Sequence, residues 1–566
     1  MKNKKEASKI TKVLQNAIFF CFIIIFSVIL FILLCFSWIK YCGENDFIFL
    51  NIVSLLIGLV AVALIYFVTR KINISKRAFR RIVIAFFIIA YLIQLAILYF
   101  AYFDTAWDAG YVNSLANSVV RTGSIPISDG YLQRYPNNTF IVAVFAVIKS
   151  VSIISDKYFF LLAINALLVN LACLFTCLSI KKLKSSRAAI LSLFILAPLV
   201  LFSPWIIIPY SDTFSVLLPI LAFYIYIACN KPFKYCLIIF ICLIGYFIKP
   251  TVAIMLIAIL AVELISHKIS LSPKAIFTAK HFKQAAAIAA SIGLAFLMKF
   301  AANYYINFQK SPALPATFTH FLAMGQNDKT CGRWDATDVK EIANGQKAEL
   351  SKFKNRLLSR NPCEQANFFA KKLLTNYNSG VFAWSSEGNF YVNIPKRDDA
   401  ISKMLASYFY SSGKNYRLFN QFNQIIWITV LFGCIFIRRS NSKSQLVICL
   451  SLIGIFLFVM LFEARARYLF SYAPIFVVCA TIGFSELKEK LKKGPLVRAV
   501  GFEPTTKRLW AACSNPWATP AETRLIIAEN DIIKKRKWKG SEPTFAVSAI
   551  GSKGGFLETT LFSRSL

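Results

Sequence analysis

Residues 81–100 read RIVIAFFIIAYLIQLAILYF, and residues 103–123 behind them read FDTAWDAGYVNSLANSVVRTG. The first stretch is apolar apart from Arg81 and Gln94 and has about the 20 residues that a helix needs to cross a bilayer. The second stretch opens with two carboxylates, Asp104 and Asp108, where such a helix would leave the membrane. Together the stretches predict a membrane helix followed by an acidic connection at the membrane surface.

The rest of the chain repeats this apolar pattern. Of its 566 residues, 57% are hydrophobic and 16% are charged, and 53 are Phe. A soluble domain of this length does not leave so many uninterrupted apolar runs, so the composition predicts an all-α polytopic membrane protein. We expect about 12 transmembrane helices, in the runs 14–38, 47–68, 82–100, 158–180, 188–209, 212–229, 235–248, 251–265, 285–302, 422–437, 445–462 and 468–484.

Lys and Arg in the short connections predict the orientation, because such residues favour the cytoplasmic side. The basic segments include both chain ends, so the N- and C-termini of a plasma-membrane protein are expected in the cytoplasm. The connections 101–157 and 303–421 then face outside, provided that 138–154, which contains Lys149, forms an interfacial or re-entrant helix. Much of the net charge of +37 lies in the cytoplasmic loops, where it suits anionic lipid. Because these basic residues are scattered, a nucleic-acid partner is disfavoured.

These features divide the chain into five expected parts. An N-terminal segment with an extra transmembrane hairpin is followed by a transmembrane core, which carries the external loop 101–157. An external soluble loop domain of α/β type comes next, then the C-terminal transmembrane helices and a tail. The boundaries are 1–80, 81–302, 303–421, 422–493 and 494–566.

The tail differs from the rest of the chain. After residue 493 the apolar runs stop, and the string GFEPTT at 501–506 resembles a translated transfer-RNA gene. Residues 494–566 are therefore expected to be a mis-called extension. The alternative is a disordered basic cytoplasmic tail, and neither interpretation gives the tail a catalytic role.

The external loop 101–157 carries an amphipathic pattern. Val112, Leu115, Ala116 and Val119 recur at helical spacing, which predicts a helix lying on the membrane surface. Asp108 would stand at the start of this helix. An Asp there either caps the helix, where its charge suits the positive terminus, or is free to act in catalysis.

Five segments share their order and character with a known family. They are WDAGYVNSLANSVVRTG (107–123), YLQRYPNN (131–138), PYSDTF (209–214), YFIKPT (246–251) and FEARARYLFSYAPIF (462–476). In this order the chain resembles the GT-C membrane glycosyltransferases. It is most similar to the glycosyltransferase family 39-like branch of bacterial protein mannosyltransferases and aminoarabinose transferases. It departs from the mannosyltransferases in lacking an adjacent Asp-Glu pair, because Ala109 follows Asp108.

The resemblance implies an inverting transfer of a sugar from a polyprenyl-phosphate donor to an extracytoplasmic acceptor, either a cell-wall or surface glycopolymer or a protein. Asp108, and after it Asp104, are then the candidates for the base that deprotonates the acceptor hydroxyl. The lipid phosphate needs cations and hydrogen-bond donors. The candidates for this role are Arg134, Tyr135, Lys249, Arg465 and Arg467. Anchoring at the membrane interface is the alternative role for Lys249 and the last two arginines.

Further residues are candidates for sugar contacts. Asp212 could orient a hydroxyl or cap a helix, and Trp334 and Trp384 could stack on a sugar or belong to a core. No cofactor and no metal ligand set is expected, because no His/Cys cluster has metal-ligand spacing; whether a divalent cation assists stays open. Cys331 and Cys363 share the external loop 303–421, which predicts a disulfide if the outside is oxidising.

Other functions fit parts of the pattern. A transporter or flippase usually carries ionisable groups inside its spans, and these runs are nearly free of them. A surface-polysaccharide polymerase or ligase also combines many spans with a large external loop and external Arg residues. The acid-bearing connection at 103–123 favours the glycosyltransferase, because a polymerase does not need it. A catalytically inactive scaffold has the same sequence features.

Overall fold

A computed structural model describes residues 2–43, 46–101, 103, 105–126, 130–266, 279–308, 315–384, 386, 398–438 and 442–493. Asp104 and the predicted tail 494–566 therefore lie outside the described residues. The chain divides into two compact units, residues 1–489 and 490–566.

Every regular element in the described ranges is helical. The helices of the first half are α1 (Lys2–Cys35), α2 (Asn51–Thr69), α3 (Lys76–Ala101), α4 (Asp108–Thr122), α5 (Gly130–Arg134), α6 (Thr139–Ser150), α7 (Lys157–Leu183), α8 (Ser186–Leu196), α9 (Ser211–Phe214), α10 (Leu217–Ala228), α11 (Lys234–Ile248) and α12 (Ala253–Ser266). Those of the second half are α13 (Ala279–Tyr305), α14 (Phe318–Met324), α15 (Ala336–Lys340), α16 (Gly345–Leu358), α17 (Pro362–Tyr377), α18 (Ala400–Phe409), α19 (Tyr416–Ile435), α20 (Lys443–Leu461) and α21 (Ala473–Lys493). Short 3₁₀ segments lie between them, among them Pro136–Asn138, Pro204–Ile207, Pro250–Val252 and Ala466–Tyr472.

Within the described ranges, nine helical segments are long and apolar enough to cross a membrane. They coincide with nine of the predicted runs, so the prediction of a helical polytopic membrane protein is confirmed. The other three runs appear as shorter apolar helices, Ser186–Leu201, Lys234–Ile248 and Pro250–Ser266. The total of twelve crossings remains a prediction.

Polar side chains inside the bundle pair with one another. The Gln94 amide on α3 donates to the Leu201 carbonyl at 2.7 Å, and the Asn170 amide on α7 donates to Gln94 Oε1 at 3.2 Å. Both side chains are buried. Since lipid offers no partner for such groups, these hydrogen bonds join α3, α7 and the chain behind α8 within the membrane.

The predicted surface helix is present as α4. The side chains of Val112, Leu115, Ala116 and Val119 are all buried, which confirms the predicted apolar face. This face packs largely against α6, so protein covers it. The helix ends at Gly123, whose φ of 74° gives the left-handed conformation typical of a helix C-terminus.

Helix α6 holds α4 through a buried lysine. The Lys149 amine donates to Asn117 Oδ1 at 2.6 Å and also to Asn113 Oδ1, one turn earlier on α4. With 12 residues, α6 is about 18 Å long and too short to span a bilayer unaided. Its length and its packing favour the predicted non-spanning helix over a further crossing.

The predicted external domain is helical where the structure describes it. Residues 315–384 and 398–415 form α14–α18 and contain no strand, so the expected α/β character is not found in them. Asp338 joins two of these helices, since it lies 2.8 Å from Arg356 Nη2 and 2.9 Å from Lys352 Nζ on α16. Burial opposes ionisation of Asp338, but these cations together with Asn327 lower its pKa to about 2.

Candidate functional site

Several segments far apart in the sequence meet beside the start of α4. They are the start of α4 itself, α5, the turn into α9, the turn between α11 and α12, and the stretch between α20 and α21. Their charged side chains form one group, which we call the charged cluster: Asp108, Asp212, Lys249, Glu463, Arg465 and Arg467. In the described part of the chain, no three His, Cys, Asp or Glu side chains are placed to hold a metal ion.

Asp212 forms the floor of the cluster. Its carboxylate accepts a hydrogen bond from the Lys249 amine and lies 3.6 Å from Arg467 Nε. All three side chains are buried. Asp212 is the second residue of α9, whose cap residue is Tyr210, so it does not cap that helix. Its burial also closes it to a sugar hydroxyl. Its role here is to neutralise two buried cations, which would be costly to bury without it.

Arg467 connects this floor to the surface helix. Its guanidinium carbon lies 4.2 Å from the centre of the Trp107 ring and 5.6 Å from that of the Tyr210 ring. Only 4% of Arg467 is exposed. A cation stacked on aromatic faces is stabilised when it is removed from water. Lys249 is held in the same way, with its amine 4.2 Å from the centre of the Tyr468 ring.

Glu463 and Arg465 form a second pair. Arg465 Nε lies 2.9 Å from Glu463 Oε1, and the Tyr468 hydroxyl donates to Glu463 Oε2 at 2.9 Å. Burial opposes ionisation of Glu463, but Arg465, Arg467 and the Tyr468 hydroxyl together lower its pKa. The cluster therefore contains a second buried carboxylate that stays ionised beside the cations.

Asp108 has the opposite tendency. It is the first residue of α4, whose cap residue is Trp107, and it is only partly exposed. Burial raises its pKa and Glu463 adds to this effect, while Arg467, Arg465 and a hydrogen bond with Tyr131 offset them in part. A carboxyl whose pKa is raised toward neutrality suits proton transfer better than an ordinary Asp.

Two tyrosines extend this hydrogen-bond network. Tyr131 on α5 is hydrogen-bonded to Tyr210 as well as to Asp108. The Asn138 amide donates to the Tyr131 hydroxyl at 2.8 Å and so fixes its position. Burial, Tyr210 and Asp108 together raise the pKa of Tyr131 well above its ordinary value, so this phenol keeps its proton.

The rim of the cluster is formed by residues after α4. Tyr135 is half-buried and hydrogen-bonded to Trp334, whose side chain is 49% exposed. The pKa of Tyr135 is raised by burial and by Asp108, and lowered by the neighbouring Arg134. Arg134 is exposed at the end of α5. Of the predicted substrate contacts, these three line the accessible side, whereas Lys249 and Arg467 lie underneath.

Two further predicted sites are corrected by the structure. Trp384 is fully buried, its indole N–H donates to the Phe409 carbonyl at 2.6 Å, and its ring lies 5.2 Å from the Trp205 ring, so it belongs to the core and not to a sugar site. Cys363 is exposed in the first turn of α17, whereas Cys331 is buried with its sulfur 2.9 Å from that of Cys42. The expected pairing of Cys331 with Cys363 is therefore not formed.

Sequence reasoning missed three members of the site. Glu463, Tyr131 and Tyr210 all lie inside the segments that carried the family resemblance, 462–476, 131–138 and 209–214. A residue-by-residue reading of those segments for buried acids and phenols would have included them. Asp104, the second candidate base, lies outside the described residues.

Comparison with known proteins agrees with the membrane architecture. No curated protein matches the chain. Residues 9–488, which include every helix that lines the site, match a family described as conserved hypothetical integral membrane protein. Since this match spans most of the sequence, the chain belongs to that family of integral membrane proteins.

Proposed function

We propose that this protein is an inverting glycosyltransferase that moves a sugar from a polyprenyl-phosphate donor to a glycan or protein acceptor outside the plasma membrane. The observation that carries the proposal is the proximity of a partly buried carboxyl with a raised pKa, Asp108, to the partly buried Arg465 and the buried Arg467 at the start of the last spanning segment. The transfer needs a base for the acceptor hydroxyl and positive charge for the departing phosphate. Both requirements meet in one cluster.

The charge of the cluster suits a phosphate diester. Three cations, Lys249, Arg465 and Arg467, stand against two carboxylates, Asp212 and Glu463, which leaves one positive charge once Asp108 has taken the proton of the acceptor. A polyprenyl-phosphate sugar carries one negative charge. As the bond to the sugar breaks, the phosphate gains a second, and buried cations stabilise that charge more than they stabilise the bound donor.

The reaction follows as a single displacement. Ionised Asp108 takes the proton of the acceptor hydroxyl while that oxygen attacks the anomeric carbon from the side opposite the phosphate. The bond between the anomeric carbon and the phosphate oxygen breaks, and polyprenyl phosphate leaves with the electron pair. One displacement inverts the anomeric carbon. Tyr135 and Trp334 at the rim offer aromatic faces of the kind that pack on the apolar side of a sugar.

The proposal is tested in cells that depend on this gene product, with wild type, Asp108→Asn and the control Asp398→Asn. Asp398 is fully exposed on the segment before α18. Its substitution therefore makes the same Asp-to-Asn change at a position outside the cluster. Mass spectrometry of lipid extracts and sugar analysis of surface polymers are compared at equal protein levels. We expect Asp108→Asn alone to accumulate one polyprenyl-phosphate sugar and to lose that sugar from a surface polymer.

Two results would overturn this assignment. If Asp108→Asn matches wild type in both measurements, Asp108 is not the base. If polymers become shorter while every sugar type is retained, the protein is a polymerase or ligase, and the lipid-linked species that accumulates would be an oligosaccharide.

A further inference from the structure

Two cysteines far apart in the sequence meet behind the charged cluster. Cys42 lies in the connection between α1 and α2, and Cys331 lies in the turn after α14, 289 residues later. Their sulfur atoms are 2.9 Å apart. A disulfide bond has a length of about 2.05 Å, so an approach of about 1 Å would join them.

The surroundings of the pair favour thiolate chemistry. A hydrogen bond with Cys42 is the main cause that lowers the pKa of Cys331 to about 6, and it outweighs the opposing effect of burial. Lys371 acts in the same direction. Arg333 holds the backbone of Cys42 in place, since its Nη1 donates to the Cys42 carbonyl at 2.7 Å. Cys331 is 4% exposed and Cys42 is partly exposed, so a reagent reaches the pair from the Cys42 side.

We propose that Cys42 and Cys331 form a disulfide in the assembled protein, which fastens the α1–α2 connection to the loop that supports the charged cluster. The inference rests on the outward orientation assumed in the proposed function, because thiols in the cytoplasm stay reduced. It does not depend on the reaction itself.

The path from this pair to the cluster is short. Gly332, the residue after Cys331, accepts a hydrogen bond from the Ala464 N–H at 2.7 Å, and Ala464 follows Glu463. The buried Lys372 amine binds the Phe462 carbonyl at 2.7 Å and the Gly325 carbonyl as well. A link at Cys331 therefore restrains the backbone on which Glu463 and Arg465 are mounted.

The oxidation needs an acceptor, which we take to be a disulfide-carrying oxidoreductase outside the membrane. The Cys42 proton passes to the Cys331 sulfur, which has the lower pKa, as the Cys42 sulfur attacks one sulfur of the acceptor disulfide. A mixed disulfide forms, and the acceptor thiolate that is released takes that proton from Cys331. The Cys331 thiolate then attacks the Cys42 sulfur and releases the second acceptor thiolate. Two thiol protons and two electrons leave the protein, and the acceptor is reduced to a dithiol.

Peptide mapping tests the link directly. Membranes are quenched in acid, alkylated under denaturing conditions without reductant, and digested with trypsin. We expect residues 330–333, TCGR, to appear joined to the peptide that begins at Tyr41, and to be released by reductant. Cys363, in peptide 361–371, should be alkylated without reduction. Alkylated Cys331 in unreduced samples, or Cys331 joined to Cys363, would overturn the inference.

A stability comparison supports the mapping. Dithiothreitol should lower the Tm of wild type and of Cys363→Ser, but should leave the Tm of Cys42→Ser unchanged, because that variant has no link to lose. An equal shift in all three proteins contradicts the proposal. If the two peptides are joined but the protein has no transfer activity, only the proposed function is contradicted. If Cys331 is reduced but transfer depends on Asp108, only the proposed disulfide is contradicted.

Discussion

The guanidinium carbon of Arg467 lies 4.2 Å from the centre of the Trp107 ring, and Trp107 directly precedes Asp108. The same guanidinium lies 3.6 Å from the buried carboxylate of Asp212. Arg467 therefore contacts Trp107, at the start of the helix that carries the candidate base. It also contacts Asp212, which binds the second cation, Lys249. A substitution at any of these positions therefore alters the electrostatic environment of the others. The energetic coupling between these positions can be measured.

The first prediction concerns Asp108 itself. Asp108→Asn removes the proton acceptor and keeps the shape, so the transfer rate should fall by about 10²–10⁴-fold. The measurement is the initial rate of radiolabel transfer from a polyprenyl-phosphate sugar in membranes. Asp398→Asn should retain the wild-type rate, because Asp398 is fully exposed. Unchanged rates in both variants would return Asp108 to a structural role at the start of α4.

The second prediction uses the opposite effects of two neighbours on the pKa of Asp108. Arg467 lowers this pKa and Glu463 raises it. The base acts when ionised, so the rate falls as the pH drops through its pKa. Arg467→Gln should move this acidic limb to higher pH, and Glu463→Gln should move it to lower pH, in initial rates recorded against pH.

A matched control is Arg417→Gln, since the Arg417 side chain is 59% exposed and paired with Asp46 outside the cluster. Its acidic limb should stay with that of wild type. Shifts of Arg467→Gln and Glu463→Gln in the same direction would mean that Asp108 does not govern the limb.

The third prediction concerns the buried floor. Asp212→Asn leaves Lys249 and Arg467 without their shared negative charge, which should cost about 3–5 kcal/mol. Lys249→Met should cost less, because Arg467 still neutralises Asp212. The double variant should recover part of the loss seen in Asp212→Asn, as followed by Tm in detergent. Strictly additive losses would show that the two side chains are not energetically coupled.

The fourth prediction concerns Lys372, the buried amine that holds the backbone beside Glu463. Burial lowers its pKa from 10.5 to about 7, and Arg360 adds to this effect. Between these values the unfolded chain binds more protons than the folded one, so the folded state gains stability as the pH rises through this interval. The Tm of wild type should therefore rise relative to that of Lys372→Met between about pH 7 and 10. Parallel curves would contradict a buried, titrating amine.

The spanning helices could be predicted because hydropathy is a local property. Each long run of apolar side chains is helical whatever it packs against, since lipid forces backbone hydrogen bonds to close within the segment. The buried face of α4 was equally local, because Val112, Leu115, Ala116 and Val119 repeat with the helix period. The short connections allowed Lys249 and Arg467 to be placed at helix ends, though not beside one another.

What could not be predicted depends on contacts between distant segments. A tryptophan in a loop has the same sequence signal whether it is exposed, as Trp334 is, or fully buried, as Trp384 is. The partner of Cys331 proved to be Cys42, from a different connection, and spacing within 303–421 carries no information about it. An Asp before an amphipathic run is typical of a helix cap, and Asp108 could have had that role. In the structure α4 begins at Asp108 itself, so Trp107 is the cap residue.

The hydrogen bonds from Lys149 to Asn113 and Asn117 fix the rotation of α4 about its own axis. Each helical residue advances by about 100°, so the direction of Asp108 is determined by an amine outside the charged cluster. One alanine inserted between Ala109 and Val112 would preserve every charged group and every Lys149 contact, yet turn Asp108 about 100° away from Tyr131. The proposed reaction therefore requires the angular register of α4 as well as its composition.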